Sequence, residues 1–407
     1  MKFYKLKGVR INNILLYILV FFGLFDTARN YTYLPTSFGY LKDISIFLLL
    51  ILNVDKIKIS FGKEEIVGIL IIFAFFAFLR GFFFSALNYV EIIVGIIKFF
   101  ELFILMTLFS SWSKIFTVPY KDIVHFYVYT GTCILIFINI FGYFVPNPII
   151  SRYIWNGVLA QGFYSGRITV GQPPIAIYPV IISLLYLVVF NGNRLCIVAY
   201  AIALFLSTSN TGIVSVLICI ILFLVMKKGK EAYFYVVMFL LGIACIYFFT
   251  VKTSQGVYLN DVISIYGSKI IKVLSGKNDV GLDIRSLHGT AAMNELENML
   301  DILIGKGMYG YYSKTNPYRL VENTYTFIYC SIGLIGLSLW LIFFLKILIS
   351  NFLAYIMYHE DRNLYFFLVT VVILCHMYTL DIPICYTIYF SYALFYVFCS
   401  KKGGMNL

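Results

Sequence analysis

Charge is scarce in this chain. Only 12% of its 407 residues are Asp, Glu, Lys or Arg, against 61% hydrophobic. A soluble protein of this size has too little interior to hide so much apolar surface. The period-two alternation of an outer-membrane barrel is also missing, which leaves a helical membrane protein. There is no Walker A motif and no glycine-rich strand-to-helix turn, and no cytoplasmic loop is long enough for a nucleotide-binding domain. No CxxC or Cys/His spacing marks a metal site. The reading therefore calls for no cofactor and no metal.

Between the charge clusters run apolar stretches of about 15–25 residues, the length that crosses a bilayer as a helix. They predict an all-α, polytopic fold of about twelve spans, near 11–25, 38–54, 66–84, 90–109, 123–145, 170–190, 194–208, 212–226, 233–250, 324–346, 364–380 and 384–399. Lysine and arginine orient them. The start holds Lys2, Lys5, Lys7 and Arg10, alternate short loops hold Lys56, Lys58, Lys63, Lys114, Lys121, Lys227 and Lys228, and the tail holds Lys401 and Lys402. The positive-inside rule puts both termini in the cytoplasm, which demands an even number of spans. The net charge of +12 is then topological and gives no reason to expect nucleic acid. Asp26 and Arg29 follow the first span without a small-residue cleavage site, so it is expected to be a retained helix. The eight cysteines lie in or at the ends of spans, so no extracytoplasmic disulfide is expected.

Two outer loops are long, about 146–169 and 251–322, and loops of that length usually carry structure or function. The chain divides into spans over 1–250, a large extracytoplasmic loop over 251–322, and the last spans over 323–407. In the large loop, "YLNDVISIYGSKIIKVL" reads as an amphipathic helix on the membrane or capping the bundle. "TAAMNELENMLDILIG" reads as a second helix, with Thr290 capping its start, Gly305 ending it, and Ala292, Met293, Leu296, Met299, Leu300 and Leu303 as its apolar stripe. Arg285 and His288 then fall just before a helix N-terminus, where free N–H groups and the dipole favour an anion. "GKGMYG" (305–310) reads as flexible backbone. In the shorter loop, Arg167 precedes "GQPP", whose prolines suit the first turn of the sixth span, and Arg152 adds a cation.

Each polar residue has a bland reading beside the functional one. Arg80, Arg167 and Arg285 can be interface anchors, and Arg80 can snorkel at the outer end of its span. Lys98 and Glu101, at i and i+3 inside the fourth span, are costly unless paired, and make either a structural pair or part of a polar pathway. His288 suits a surface site, and His376 suits a packed residue bonded to a neighbouring helix. Glu322 and Asn323, with Arg319 just before them, either cap the tenth span or face a polar substrate.

The order of these stretches resembles a known one. Arg285, then "ILIGKG", then "ENTYTFIYCSIGLIGLSLWLIFF", preceded by "GRITVGQPPIAIYPVIIS" and "LSTSNTGIVSVLICIILF", is similar to the O-antigen polymerase and ligase superfamily, above all its Wzy-type polymerases. The resemblance covers about 160–340. It implies a GT-C-like all-helical glycosyltransferase in the bacterial inner (cytoplasmic) membrane. Such an enzyme joins undecaprenyl-pyrophosphate-linked repeat units on the outer face, beside membrane lipid, chain-length regulator and flippase partners. It implies catalytic roles for Glu322, Arg285 and Arg167. The outer-face polar residues Arg152, His288, Asn323, Arg319 and Arg80 are the candidates for substrate binding. Glu322 stands where ligases tend to have a histidine before the asparagine, which argues against a ligase, although His288 can substitute. "SNTG" at 209–212 departs from the family's frequent Ser-Arg. The alternatives are an O-antigen ligase, a lipid-linked oligosaccharide flippase or other transporter with Lys98 and Glu101 at its midplane, and a membrane assembly partner without catalysis.

Overall fold

The computed structural model describes residues 2–29, 39–57, 65–137, 175, 177–206, 209–227, 280–313, 316, 321, 323–379 and 385–400, and among them the regular structure is helical throughout. In chain order the helices are α1 (Lys2–Arg29), α2 (Tyr40–Leu52), α3 (Glu65–Leu79), α4 (Gly81–Phe84), α5 (Tyr89–Ser110), α6 (Trp112–Ile115), α7 (Tyr120–His125), α8 (Tyr178–Val189), α9 (Arg194–Leu206), α10 (Asn210–Met226), α11 (Val280–Asn294), α12 (Met299–Ile304), α13 (Thr324–Tyr358), α14 (Asp361–Met377) and α15 (Tyr386–Ser400). Three stretches, Ile66–Phe84, Tyr89–Ser110 and Thr324–Tyr358, are each long and apolar enough to cross a membrane, and shorter apolar helices accompany them. The protein is a helical membrane protein. Each expected span except the ninth coincides wholly or partly with one of these helices.

Packing explains the composition. On α2, Ser45, Ile46 and Leu49 turn inward while Tyr40, Ile44, Phe47 and Ile51 are exposed. An exposed stripe of that kind is a liability in water and is at home against lipid. Aromatic rings fill the seam where α3, α5 and α13 meet. Phe99 lies between Phe78 and Trp340, with centroids 4.7 and 5.4 Å away, and Phe103 meets Phe343 in a tilted contact at 5.7 Å. Edge-to-face and tilted rings at such spacing add to area burial. α7 runs into a π-helical turn, Phe126–Gly131. Two carbonyls of that turn take additional side-chain donors, Thr132 Oγ1 on Tyr127 O and the Tyr200 hydroxyl on Val128 O.

α13 carries the main irregularity. It is 35 residues long and runs to Tyr358, well past the expected end at 346, and it breaks at Gly333, whose φ of 69° and ψ of −173° are not helical. The carbonyls of Cys330 and Ser331, released by the break, accept from the backbone N–H of Lys306 and Gly307 at 2.9 Å each. The segment after α12 is thus sewn into the gap. Its glycines do not leave it flexible, because residues 305–311 are buried.

The second helix of the large loop also differs from expectation. It forms as two pieces. α11 begins ten residues earlier than Thr290 and ends at Asn294, and α12 starts afresh under Asn298, whose side chain accepts from Asp301 N at 2.9 Å. Gly305 ends α12 with a φ of 74°, as its position predicts. Of the proposed stripe, Ala292 is buried, whereas Met293, Met299, Leu300 and Leu303 are exposed. The ninth span, the amphipathic stretch at 258–274 and the loop at 146–169 lie outside the described residues.

Candidate functional site

α11, α12 and the segment up to Tyr312 cover the end of the bundle where α3 stops and α13 begins. The segment is tied to α3 and its neighbours by Met308 N on Phe78 O at 3.4 Å and Ala86 N on Tyr312 O at 2.8 Å. Tyr309 and Tyr311 pack on Phe327, 6.2 and 6.3 Å away, and Asn316 Nδ2 donates to Tyr311 O at 2.8 Å. Inside this wrapping sits an ionic cluster. Asp301 is 1% exposed and accepts from Arg80 Nη2 at 2.8 Å. Arg80 Nη1 donates to the Gly305 carbonyl. Lys306 Nζ lies 4.0 Å from Asp301 and 3.7 Å from Glu297, which is largely exposed. Both cations sit over the ring of Phe84, at 5.1 and 5.8 Å, a favourable placement once water is excluded. Arg80 is therefore held in two bonds, to Asp301 of α12 and to Gly305, which ends it. A buried carboxylate with two cations and one exposed acid is electrically balanced, and its first task is to fasten α12 to α3.

Above this cluster α11 crosses the first turn of α13. Gly289 has no side chain, and a Cβ there would stand 3.6 Å from Thr326 Cγ2. Asn323 caps α13, its side chain accepting from Thr326 N at 3.1 Å. His288 is half-buried on α11, and Arg285 lies one helical turn before Gly289 on the same helix. Arg285 and His288 are therefore inside a helix and not ahead of its N-terminus, so the free N–H groups expected beside them are used within α11. The expected caps and anchors divide cleanly. Asn323 does cap, and Arg80 is paired where snorkelling was one expectation. Arg152, Arg167, Arg319 and Glu322 lie outside the described residues.

A second polar cluster lies between α2, α5 and α15. Glu101 is 2% exposed, and its partner is Lys42 Nζ at 3.4 Å. The expected neighbour Lys98 is half-buried on the same helix. Lys42 also pairs with Asp43 and stands 4.8 Å over the ring of Tyr386. His376 Nδ1 faces Val372 O of its own helix at 2.9 Å, and its ring meets Tyr178 of α8 edge-on at 5.2 Å. The contact with a neighbouring helix is thus a ring contact. Ser209, in the turn that departs from the family pattern, caps α10 through Gly212 N.

Sequence reading passed over Asp301, Lys306, Lys42 and Asp43. The usable signal was Asp301, a lone acid inside the apolar run "MLDILIG". Among the described residues no three His, Cys, Asp or Glu side chains gather as metal ligands. No family model matches the chain, and no curated protein matches it in sequence.

Proposed function

We propose that this chain is a membrane glycosyltransferase of the O-antigen polymerase type. It joins undecaprenyl-pyrophosphate-linked repeat units at the outer face of the bacterial cytoplasmic membrane, with both termini inside. One observation carries the reading. Gly289 of α11 lies against Thr326 of α13, so the stretch holding Arg285 meets the stretch that opens at Glu322 and Asn323. These are the two stretches on which the family resemblance leans.

The chemistry needs few groups. The acceptor hydroxyl oxygen bonds to the anomeric carbon of the donor sugar, the bond from that carbon to the pyrophosphate breaks, and the lipid pyrophosphate leaves with the electron pair. Glu322 takes the hydroxyl proton. Arg285 and Arg167 hold the leaving phosphates, where bidentate charge-assisted bonds are strongest. Asn323, His288, Arg319 and Arg152 are the proposed substrate-binding residues, and Arg80 contributes through the segment it fastens. The leaving group is already activated, so no nucleotide or metal takes part. A chain-length regulator and a flippase are the expected partners.

Deleting the gene and separating surface glycans by electrophoresis tests this. A polymerase predicts loss of the ladder with single-unit-capped core retained. Loss of every capped form points instead to a ligase or a flippase. The buried Lys42–Glu101 pair is the observation that favours a transporter as the second reading, since intramembrane charges often mark pathways. In that case Glu101→Gln abolishes delivery of single units as well.

A further inference from the structure

α12 is built inside out for a helix in water. Its acid, Asp301, points inward and is 1% exposed, while Met299, Leu300 and Leu303 are 71%, 56% and 38% exposed. Lipid, unlike water, favours apolar side chains outside and paired charges inside. The exposed stripe is also continuous with a membrane-facing one. The Leu303 backbone abuts Gly333, and the residues that follow it on α13, Leu334 and Ile335, are exposed as well.

Two helices and the turn after a third show that this contact lies within the apolar length of the bundle. Arg80 just past α3, Gly95 on α5 and Gly333 on α13 each touch the segment at 303–309. Gly95 stands six residues inside α5 and Gly333 nine residues inside α13, about 9 and 14 Å from those helix ends at a rise of about 1.5 Å per residue. Arg80 falls inside the apolar stretch Ile66–Phe84.

We infer that α12 and the segment from Gly305 to Tyr312 form a re-entrant hairpin immersed in one leaflet, with Met299, Leu300 and Leu303 against phospholipid acyl chains. The backbone bonds from Lys306 and Gly307 to the broken turn of α13 satisfy groups that lipid cannot. The ionic cluster fastens the inner side. A segment assigned to an extramembrane loop is then part of the membrane domain, whichever reaction the chain performs.

The test is photocrosslinking of the full chain in phospholipid nanodiscs. A benzophenone amino acid is placed singly at Met299, at Leu300, and at Ile342 as a lipid-facing control. Mass spectrometry should find phospholipid adducts at Met299 and Leu300 in yields comparable to Ile342. An adduct to a second copy of the chain at these positions, or no lipid adduct at either while Ile342 labels lipid, overturns the proposal. Two positions guard against one variant failing to fold.

Discussion

The guanidinium of Arg80 and the carboxylate of Asp301, 221 positions apart in sequence, meet at 2.8 Å with Asp301 sealed from solvent. This pair joins the end of α3 to α12. Removing one member of a buried pair strands the other, at a cost of about 3–5 kcal/mol. Asp301→Ala should therefore lower the thermal unfolding temperature in detergent sharply. The double change Arg80→Met with Asp301→Leu should cost less than the two single changes together. A normal unfolding temperature for Asp301→Ala would show that the pair does not fasten the segment.

Glu101 should depend on Lys42 and not on Lys98. Lys42→Met leaves a carboxylate buried without its cation and should reduce folded protein in the membrane, again by about 3 kcal/mol or more. Lys98→Met, at a half-buried position, should cost under about 1 kcal/mol. Equal losses in a thermal-shift comparison would return the pairing to Lys98.

Gly305 and Gly333 should resist substitution. Both have positive φ, and a Cβ on either would meet the backbone of the other segment, Ser331 for Gly305 and Leu303 for Gly333. Ala at either site should destabilise by more than the roughly 1 kcal/mol of φ strain alone. Gly68→Ala, with nothing within 4 Å of the new methyl and a helical backbone, should be neutral or gain about 0.5–1 kcal/mol. A tolerated Gly333→Ala would mean that α13 can run straight there.

Asn323→Ala should cost about 1 kcal/mol of stability, the usual worth of a helix N-cap, and should also shorten the glycan ladder, since Asn323 is proposed to bind substrate. A full-length ladder from folded Asn323→Ala protein would leave capping as its whole role.

Much of the bundle was legible because apolar length alone decides a span. α3, α5 and α14 fall within a few residues of expectation for that reason. Partnerships across the fold were not legible. Lys98 stands three residues from Glu101, so local spacing chose it, whereas Lys42 reaches Glu101 from another helix. The stripe from Ala292 to Leu303 matched one helix because periodicity does not register an N-cap such as Asn298. Nor does it show which part of a stripe is covered: Ala292 is buried, whereas Met299, Leu300 and Leu303 are exposed. Gly333 looked ordinary in "SIGLIG", since glycine is common in membrane helices. Its meaning depends on a segment about thirty residues earlier. At the site, the capping role of Asn323 was legible, and the insertion of Arg285 into α11 was not.

The polymerase reading is tested most directly by Glu322→Gln in cells whose membrane level of the protein is verified. The change keeps the shape and removes the negative charge. A general base typically contributes about 10²–10⁴-fold, so surface glycan gels should lose the ladder and keep the single-unit band. A full-length ladder from well-expressed Glu322→Gln protein would contradict the assignment.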